Sequence, residues 1–176
     1  MSLLIGTVAI VLMIAALFAS VEAAIFCTSF PRAQVLKRQG KPGATALVAI
    51  RERMSRPVTT LVIGTNVTTI VGSFVIGHVA TEAFGDAALG VITAVITFLI
   101  IVFGEIFPKV MGEKFSEPIA LFAARPLLVL TNLLSPIIWI IEKSTDRFTD
   151  HSRKIVSEEE LKLLSEIGSR EGSIER

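Results

Sequence analysis

Three long apolar stretches divide the chain, and few polar positions interrupt them. The stretches run over residues 1–30, 57–81 and 87–104, and Glu22 is the one Asp, Glu, Lys or Arg residue within them. A bilayer core about 30 Å thick is crossed by about 20 residues of helix, so each stretch is long enough to span it. The pattern therefore predicts an all-α membrane protein with three transmembrane helices.

A fourth apolar segment, at about residues 116–143, is interrupted by Arg125 and by three prolines. The prolines are Pro118, Pro126 and Pro136. Each proline removes a backbone donor and tends to kink a helix, and the longest uncharged part, 126–141, has only 16 residues. We predict that this segment is a juxtamembrane helix lying along the membrane surface; a fourth span is the alternative.

The composition agrees with a membrane protein. The chain has 176 residues, of which 52% are hydrophobic and 19% charged, and its mean hydropathy is +0.69. An ordinary soluble domain is closer to 45–50% apolar and about 25% charged. The first stretch is not a signal peptide, since no Lys or Arg precedes Arg32 and the stretch is too long. A single cysteine, Cys27, excludes an intramolecular disulfide.

The charges between the apolar stretches indicate the topology. The connection over residues 31–57 has one acid, Glu52, and seven bases. The bases are Arg32, Lys37, Arg38, Lys41, Arg51, Arg53 and Arg56. The next connection has Glu82 and Asp86 and no base. Because basic connections stay in the cytoplasm, we predict the N-terminus outside and the C-terminus inside. The basic connection lacks interleaved aromatic residues, so no nucleic-acid partner is expected.

Two regions follow from this division. Residues 1–143 are predicted to form the transmembrane domain with its juxtamembrane helix, and residues 144–176 to begin a cytoplasmic, acidic helical region. Ser157 and Glu160 have the spacing of a capping box at the start of an amphipathic helix. Because the sequence before Arg176 is predicted to begin a further such element, the chain is expected to be part of a longer protein.

Each predicted span contains polar groups at a depth where lipid offers no partner. An ionisable group inside a membrane usually faces a bundle interior and marks an ion path. Glu22 lies ten residues before Arg32, and Asn66 ten residues after Arg56. Both are therefore about 15 Å from the inner surface at about 1.5 Å per residue. Glu105 lies between ~6 and ~14 Å from it by the same measure.

These groups offer only oxygen ligands, which suit Mg²⁺ or Ca²⁺ better than zinc or copper. Glycine and proline flank Glu105, so backbone carbonyl groups close to it are further candidates. The sequence thus predicts a divalent-cation site between the helices. The candidate ligands are Ser20, Glu22, Thr65, Asn66, Gly104 and Glu105.

Each candidate also has a structural interpretation. The Ser20 hydroxyl has a carbonyl of its own helix as an alternative partner, and Asn66 could hold two helices together. Glu22 could be a structural acid paired with a base. Glu105 could form a local ion pair with Lys109, which lies one turn further on.

Three motifs carry a resemblance to a known family. They are Ala-Ser-Val-Glu at 19–22, Ile-Gly-Thr-Asn at 63–66 and Gly-Glu-Ile-Phe-Pro-Lys at 104–109. Together they resemble the membrane domain of the CNNM/CorC family, the cyclin M-like magnesium transporters. Two positions depart from the family pattern, because many relatives have serine where this chain has Ala19 and a second asparagine where it has Thr65.

The resemblance implies a function. It implies a homodimer in the plasma membrane that exports Mg²⁺, coupled to Na⁺ entry, with a cytoplasmic pair of CBS domains following in the full-length protein. An enzyme is not expected, because the chain lacks a metal-hydrolase motif or a serine–base pair to accompany Glu22 and Glu105. The remaining alternative is a structural or regulatory membrane subunit without transport activity.

Overall fold

The computed structural model describes residues 2–85 and 89–145 of the chain. Helices account for 91% of these residues, and no strand occurs among them. The elements in chain order are α1 (Ser2–Cys27), α2 (Phe30–Arg38), α3 (Ala44–Glu52), α4 (Ser55–Phe84), α5 (Leu89–Leu99), a π-helix (Ile100–Ile106), α6 (Phe107–Lys114), α7 (Ser116–Leu133) and α8 (Ser135–Thr145). The predicted all-α fold class is confirmed. The acidic helical region predicted around Ser157 and Glu160 lies outside the described residues.

Three helices are long and apolar enough to cross a membrane, as predicted. They are Ser2–Cys27, Ser55–Phe84 and Gly90–Lys114, the last of which joins α5, the π-helix and α6. The fourth apolar segment forms α7 and α8, which meet at a bend of 70°. Length and composition also allow this bent pair to be one broken span, so the number of spans is three or four.

Residues 1–139 form one compact unit, and α2 and α3 of the basic connection supply much of its main apolar core. The C-terminal end of α1 packs there with α2, α3 and α7, and Ile25, Leu47 and Ile50 are fully buried. Alanines on α7, such as Ala120 and Ala124, are also fully buried, which lets that helix approach closely. The second unit begins at Ile140; its described residues, 140–145, complete α8.

Small residues bring the spans close to α1. A Cβ added at Gly64 would collide with the ring of Phe18, and one added at Gly72 would collide with the side chain of Val11. Since Gly64 and Gly72 both lie on α4, these contacts place α4 antiparallel to α1. The third span also contacts α1 through glycines, with Gly104 next to Ala15 and Gly112 next to Ser20, and it is this contact that assembles the polar groups.

Candidate cation site

The middle of the third span is a π-helix, Ile100–Ile106, which contains Gly104 and Glu105. The backbone N–H of Phe107 donates to the carbonyl of Val102, five residues back, as a π-helix requires. Pro108 follows and has no N–H, so the turn before it lacks one backbone donor. The glycine and proline that flank Glu105 therefore widen the helix without ending it. Such π-helical turns are frequent at functional sites.

Ser20 connects α1 to this region. Its hydroxyl donates to the carbonyl oxygen of Pro108 at 3.1 Å. The two backbones are in direct contact at the same level, because a Cβ added at Gly112 would collide with the carbonyl oxygen of Ser20. Ser20 thus bonds to the third span and not to a carbonyl of its own helix, which was its structural alternative.

Lys109 lies between two carboxylates from different helices. Its Nζ is 3.1 Å from Oε1 of Glu105 and 3.7 Å from Oε2 of Glu22. The side chains are partly accessible, at 38% for Lys109, 48% for Glu105 and 22% for Glu22. The ion-paired alternatives for the two glutamates are therefore both present. The same geometry brings both carboxylates within reach of a single cation.

The two candidates on α4 have partners within their own helix. The Asn66 side-chain amide donates to the carbonyl of Val62 at 2.9 Å, and the Thr65 hydroxyl donates to the carbonyl of Leu61 at 3.0 Å. With 3.6 residues per turn, Asn66 is about 200° around the helix from Gly64, which faces α1. Asn66 accordingly points away from α1, and its side chain is exposed.

Asn66 nevertheless lies near the depth of Gly104. Gly64 lies against Phe18, whereas Gly104 lies against Ala15, where a Cβ built on Gly104 would be 3.4 Å from the Ala15 side chain. Asn66 is two residues beyond Gly64 in the antiparallel helix, so it is within about 3 Å of the level of Gly104. The structure thus groups Ser20, Glu22 and Glu105 in one cluster around Pro108 and Lys109, and it leaves Gly104, Thr65 and Asn66 outside these contacts.

Sequence reasoning missed two members of this cluster. The Pro108 carbonyl accepts from Ser20, and Lys109 bridges both glutamates. The spacing of Lys109 from Glu105 signalled only the local pair, because nothing in the sequence links Lys109 to α1. In residues 2–85 and 89–145, no group of three or more His, Cys, Asp and Glu side chains could hold a metal ion. A cation here would also need the serine hydroxyl, backbone carbonyls or water.

The fold and this cluster together define a polytopic α-helical membrane domain with ion-paired groups between its first and third spans. The sequence matches the family described as the cyclin M transmembrane N-terminal domain, CNNM, over residues 5–176, and the chain belongs to that family. The resemblance drawn from the three motifs is thereby confirmed. The family is defined by a membrane domain and is not an enzyme class.

Individual relatives agree with this membership. The chain is 41% identical to the UPF0053 protein sll1254 of Synechocystis over 98% of its length, which covers 50% of that protein. It is 26% identical to a UPF0053 protein of Haemophilus influenzae, with 90% of the chain and 40% of the relative covered. It is 27% identical to the UPF0053 inner membrane protein YfjD of Escherichia coli, with 75% and 31% covered. The chain thus spans half or less of the length of these relatives.

Proposed function

We propose that this domain binds Mg²⁺ at the cluster between α1 and the third span and is the membrane part of a Mg²⁺ transporter. The observation that carries the proposal is the position of Lys109, whose ammonium lies between the carboxylates of Glu22 and Glu105. A dication would neutralise the two carboxylates more fully than the single positive charge of the ammonium does. Ser20 and the Pro108 carbonyl add neutral oxygen atoms at the same level.

The distances suit a partly hydrated ion. Mg²⁺ takes six oxygen ligands at about 2.0–2.1 Å and usually keeps several waters. The carboxylate oxygens lie 3.1 and 3.7 Å from the Lys109 Nζ, which leaves room for a cation with some of its waters once the ammonium has moved away. We therefore propose that Mg²⁺ and the Lys109 ammonium compete for the same carboxylates. Thr65 and Asn66 remain proposed ligands that would join when α4 turns towards the third span.

The test is a Mg²⁺ titration of the purified domain, read as protection against heat or proteolysis. Saturable protection is expected, and Glu105→Gln should weaken it at least tenfold, because it deletes a charge that offsets the dication in a low dielectric. Lys109→Met should strengthen Mg²⁺ binding, since the competing ammonium is gone. If Glu105→Gln binds and transports Mg²⁺ as well as the unaltered protein, Glu105 is only the local partner of Lys109.

The second candidate function, a structural or regulatory subunit, is favoured by the same ion pairs. In that case Lys109 permanently neutralises both glutamates and no metal enters. Lys109→Met leaves the carboxylates of Glu22 and Glu105 without their counter-charge, so it would lower the unfolding temperature under either function. Only the transporter predicts that added Mg²⁺ restores the unfolding temperature of Lys109→Met.

We further propose that transport is Mg²⁺ export across the plasma membrane, coupled to Na⁺ entry, and that CBS domains follow in the full-length protein. This proposal rests on the family. It is checked by measuring Mg²⁺ efflux from proteoliposomes with and without an inward Na⁺ gradient, for the full-length protein. Equal efflux under both conditions would exclude the coupling.

The orientation supports a testable proposal of its own, with the basic connection in the cytoplasm. Gly40 lies in that connection and Gly85 ends α4 at the opposite membrane face, and both are exposed. A cysteine at Gly85 should react with an impermeant thiol reagent added to intact cells, whereas one at Gly40 should not. The reverse labelling would overturn the proposed direction of transport.

We also propose a homodimer, and the structure narrows where the copies would meet. Gly64 and Gly72 already pack against α1 of the same chain, whereas a Cβ added at Gly77 would have no atom within 4 Å. Phe74, on the same helix, is 79% exposed. The face of α4 around Phe74 and Gly77 is therefore the proposed contact. Cysteine cross-linking at Gly77 in native membranes should yield a dimer; monomer alone would contradict the proposal.

A further inference from the structure

Two cavities adjoin on α7, on the side of the membrane that has the basic connection. The first has a volume of about 490 Å³ and is lined by the two cations Lys41 and Arg125 together with the apolar Leu121 and Phe122. Gly43 brings the Lys41 loop against α7, because its φ of +86° and its contact with the Leu121 carbonyl admit no side chain. The result is a cationic pocket whose remaining walls are mostly apolar.

The second cavity is larger and nearly all apolar. It has a volume of about 740 Å³ and lies between α1 and α7, from Val21 to Met13 along α1. That distance is eight residues, or about 12 Å. Pro118 and Phe122 line both cavities, so the cationic pocket continues directly into the apolar groove. Phe122 is 84% exposed at the junction.

The charges around the pocket leave it net positive. The nearby acid, Glu117, is ion-paired with Arg32 at 2.5 Å, so its charge is shared with a third base. The N-cap residue of α3 is Gly43, which provides no side-chain cap, so the positive end of this nine-residue helix also faces the pocket region. Basic pockets between helices on the cytoplasmic side of a membrane are suited to anionic lipid headgroups.

We propose that this composite cavity binds one anionic phospholipid of the leaflet that faces the basic connection. Its phosphate lies between Lys41 and Arg125, and one acyl chain follows the groove between α1 and α7. The occupant is an amphiphile because the cationic pocket and the apolar groove are continuous, and each alone would fit only half of it. The inference does not depend on Mg²⁺ binding at the cluster on the third span.

The test compares lipids on the purified domain in detergent, by native mass spectrometry and by thermal unfolding. Phosphatidylglycerol should bind at one copy per chain and raise the unfolding temperature, whereas phosphatidylcholine with the same acyl chains should not. Arg125→Gln and Lys41→Gln should each weaken phosphatidylglycerol binding about fivefold, as expected from about 1 kcal/mol per cation near the headgroup. Arg38→Gln is the matched control, because Arg38 is an exposed base of the same connection that does not line the cavity.

The groove has a separate test. Ala16→Leu narrows the groove without changing any charge, so it should weaken binding of long-chain but not of short-chain phosphatidylglycerol. If the variant binds long-chain phosphatidylglycerol as well as the unaltered protein does, the acyl chain does not occupy the groove. If Arg38→Gln weakens phosphatidylglycerol binding as much as Arg125→Gln does, the binding is due to diffuse electrostatic attraction. If inorganic phosphate alone raises the unfolding temperature as much as phosphatidylglycerol does, the ligand is a free anion. Each of these results overturns the proposed lipid.

Discussion

The second and third spans both place polar groups inside the membrane, but they satisfy most of them in different ways. On α4, the hydroxyls of six threonines each donate to the carbonyl four residues earlier in the same helix. These residues are Thr59, Thr60, Thr65, Thr68, Thr69 and Thr81, and of them Thr60 also lies within hydrogen-bond distance, 3.0 Å, of the Thr131 hydroxyl on α7. Asn66 does the same with its side-chain amide. The third span instead reaches α1 through Lys109 to Glu22 and through the Pro108 carbonyl to Ser20.

The chemistry of the side chains explains the difference. A hydroxyl or an amide has a hydrogen to donate, and a helix offers carbonyl oxygens one turn back that accept it. An ionised carboxylate only accepts, and the N–H groups of a helix interior are already bonded to its own carbonyls. Glu22 and Glu105 must therefore recruit a cation. Polar groups that cannot be satisfied within their own helix are the ones that mark a site, and this separates Glu22, whose cation comes from the third span, from Thr65.

The largest effect is expected from forcing α1 and α6 apart. In Gly112→Ala the new methyl group collides with the Ser20 backbone, and overpacking of this kind costs about 1–3 kcal/mol. Gly90→Ala is the control on α5, where a Cβ meets nothing within 4 Å, so it should be neutral or stabilising by up to about 1 kcal/mol. Unfolding of both variants in detergent measures the difference. Equal stability of the two variants would mean that the contact between α1 and α6 is not close.

A smaller effect is expected from the hydroxyl that crosses between helices. Ser20→Ala removes its hydrogen bond to Pro108 and should lower the free energy of unfolding by about 1 kcal/mol. Asn66→Ala removes only a hydrogen bond within α4 and should lower the free energy of unfolding by only a few tenths of a kcal/mol. We expect both variants to weaken Mg²⁺ binding, each by less than Glu105→Gln.

The two measurements on these variants sharpen the comparison between the spans. If Asn66→Ala weakens Mg²⁺ binding while leaving the stability of the metal-free protein unchanged, Asn66 reaches the ion only in the bound state. If it leaves Mg²⁺ binding unchanged, Asn66 is a residue of the α4 surface and not a ligand. A loss of stability larger than that of Ser20→Ala would contradict the local hydrogen bond.

The smallest effect is expected outside the spans, at the ion pair between α2 and α7. The hydrogen bond and the charge of Arg32 lower the pKa of Glu117 below its ordinary value of 4.5. A carboxyl with a lowered pKa in the folded state stabilises the protein above its unfolded pKa and loses that contribution as the pH falls further. The unfolding temperature should thus fall slightly more below about pH 4.5 in the unaltered protein than in Glu117→Gln. Identical pH profiles would show that the exposed pair contributes nothing.

Much of the candidate site could be predicted from the sequence, because depth in a membrane follows from counting residues. Counting residues from the nearest bases placed Glu22, Asn66 and Glu105 at overlapping depths. In the structure, Asn66 lies at nearly the same depth as Gly104, the residue before Glu105. The rotation of each helix about its axis could not be counted in this way. Rotation depends on which small residues face which neighbour, and it places Asn66 on the far side of α4 from α1.

By itself, the sequence determined the helical class, the three long apolar spans and the identity of the polar groups within them. It did so because lipid tolerates only long apolar helices, so any charge within one stands out. Tertiary structure alone decided which of those groups meet. Ser20 reaches Pro108, and Lys109 reaches Glu22, only because Gly112 lets the backbone of α6 touch that of α1. A contact between residues so far apart in the chain depends on how the helices pack side by side, and the spacing of residues along the sequence does not predict that packing.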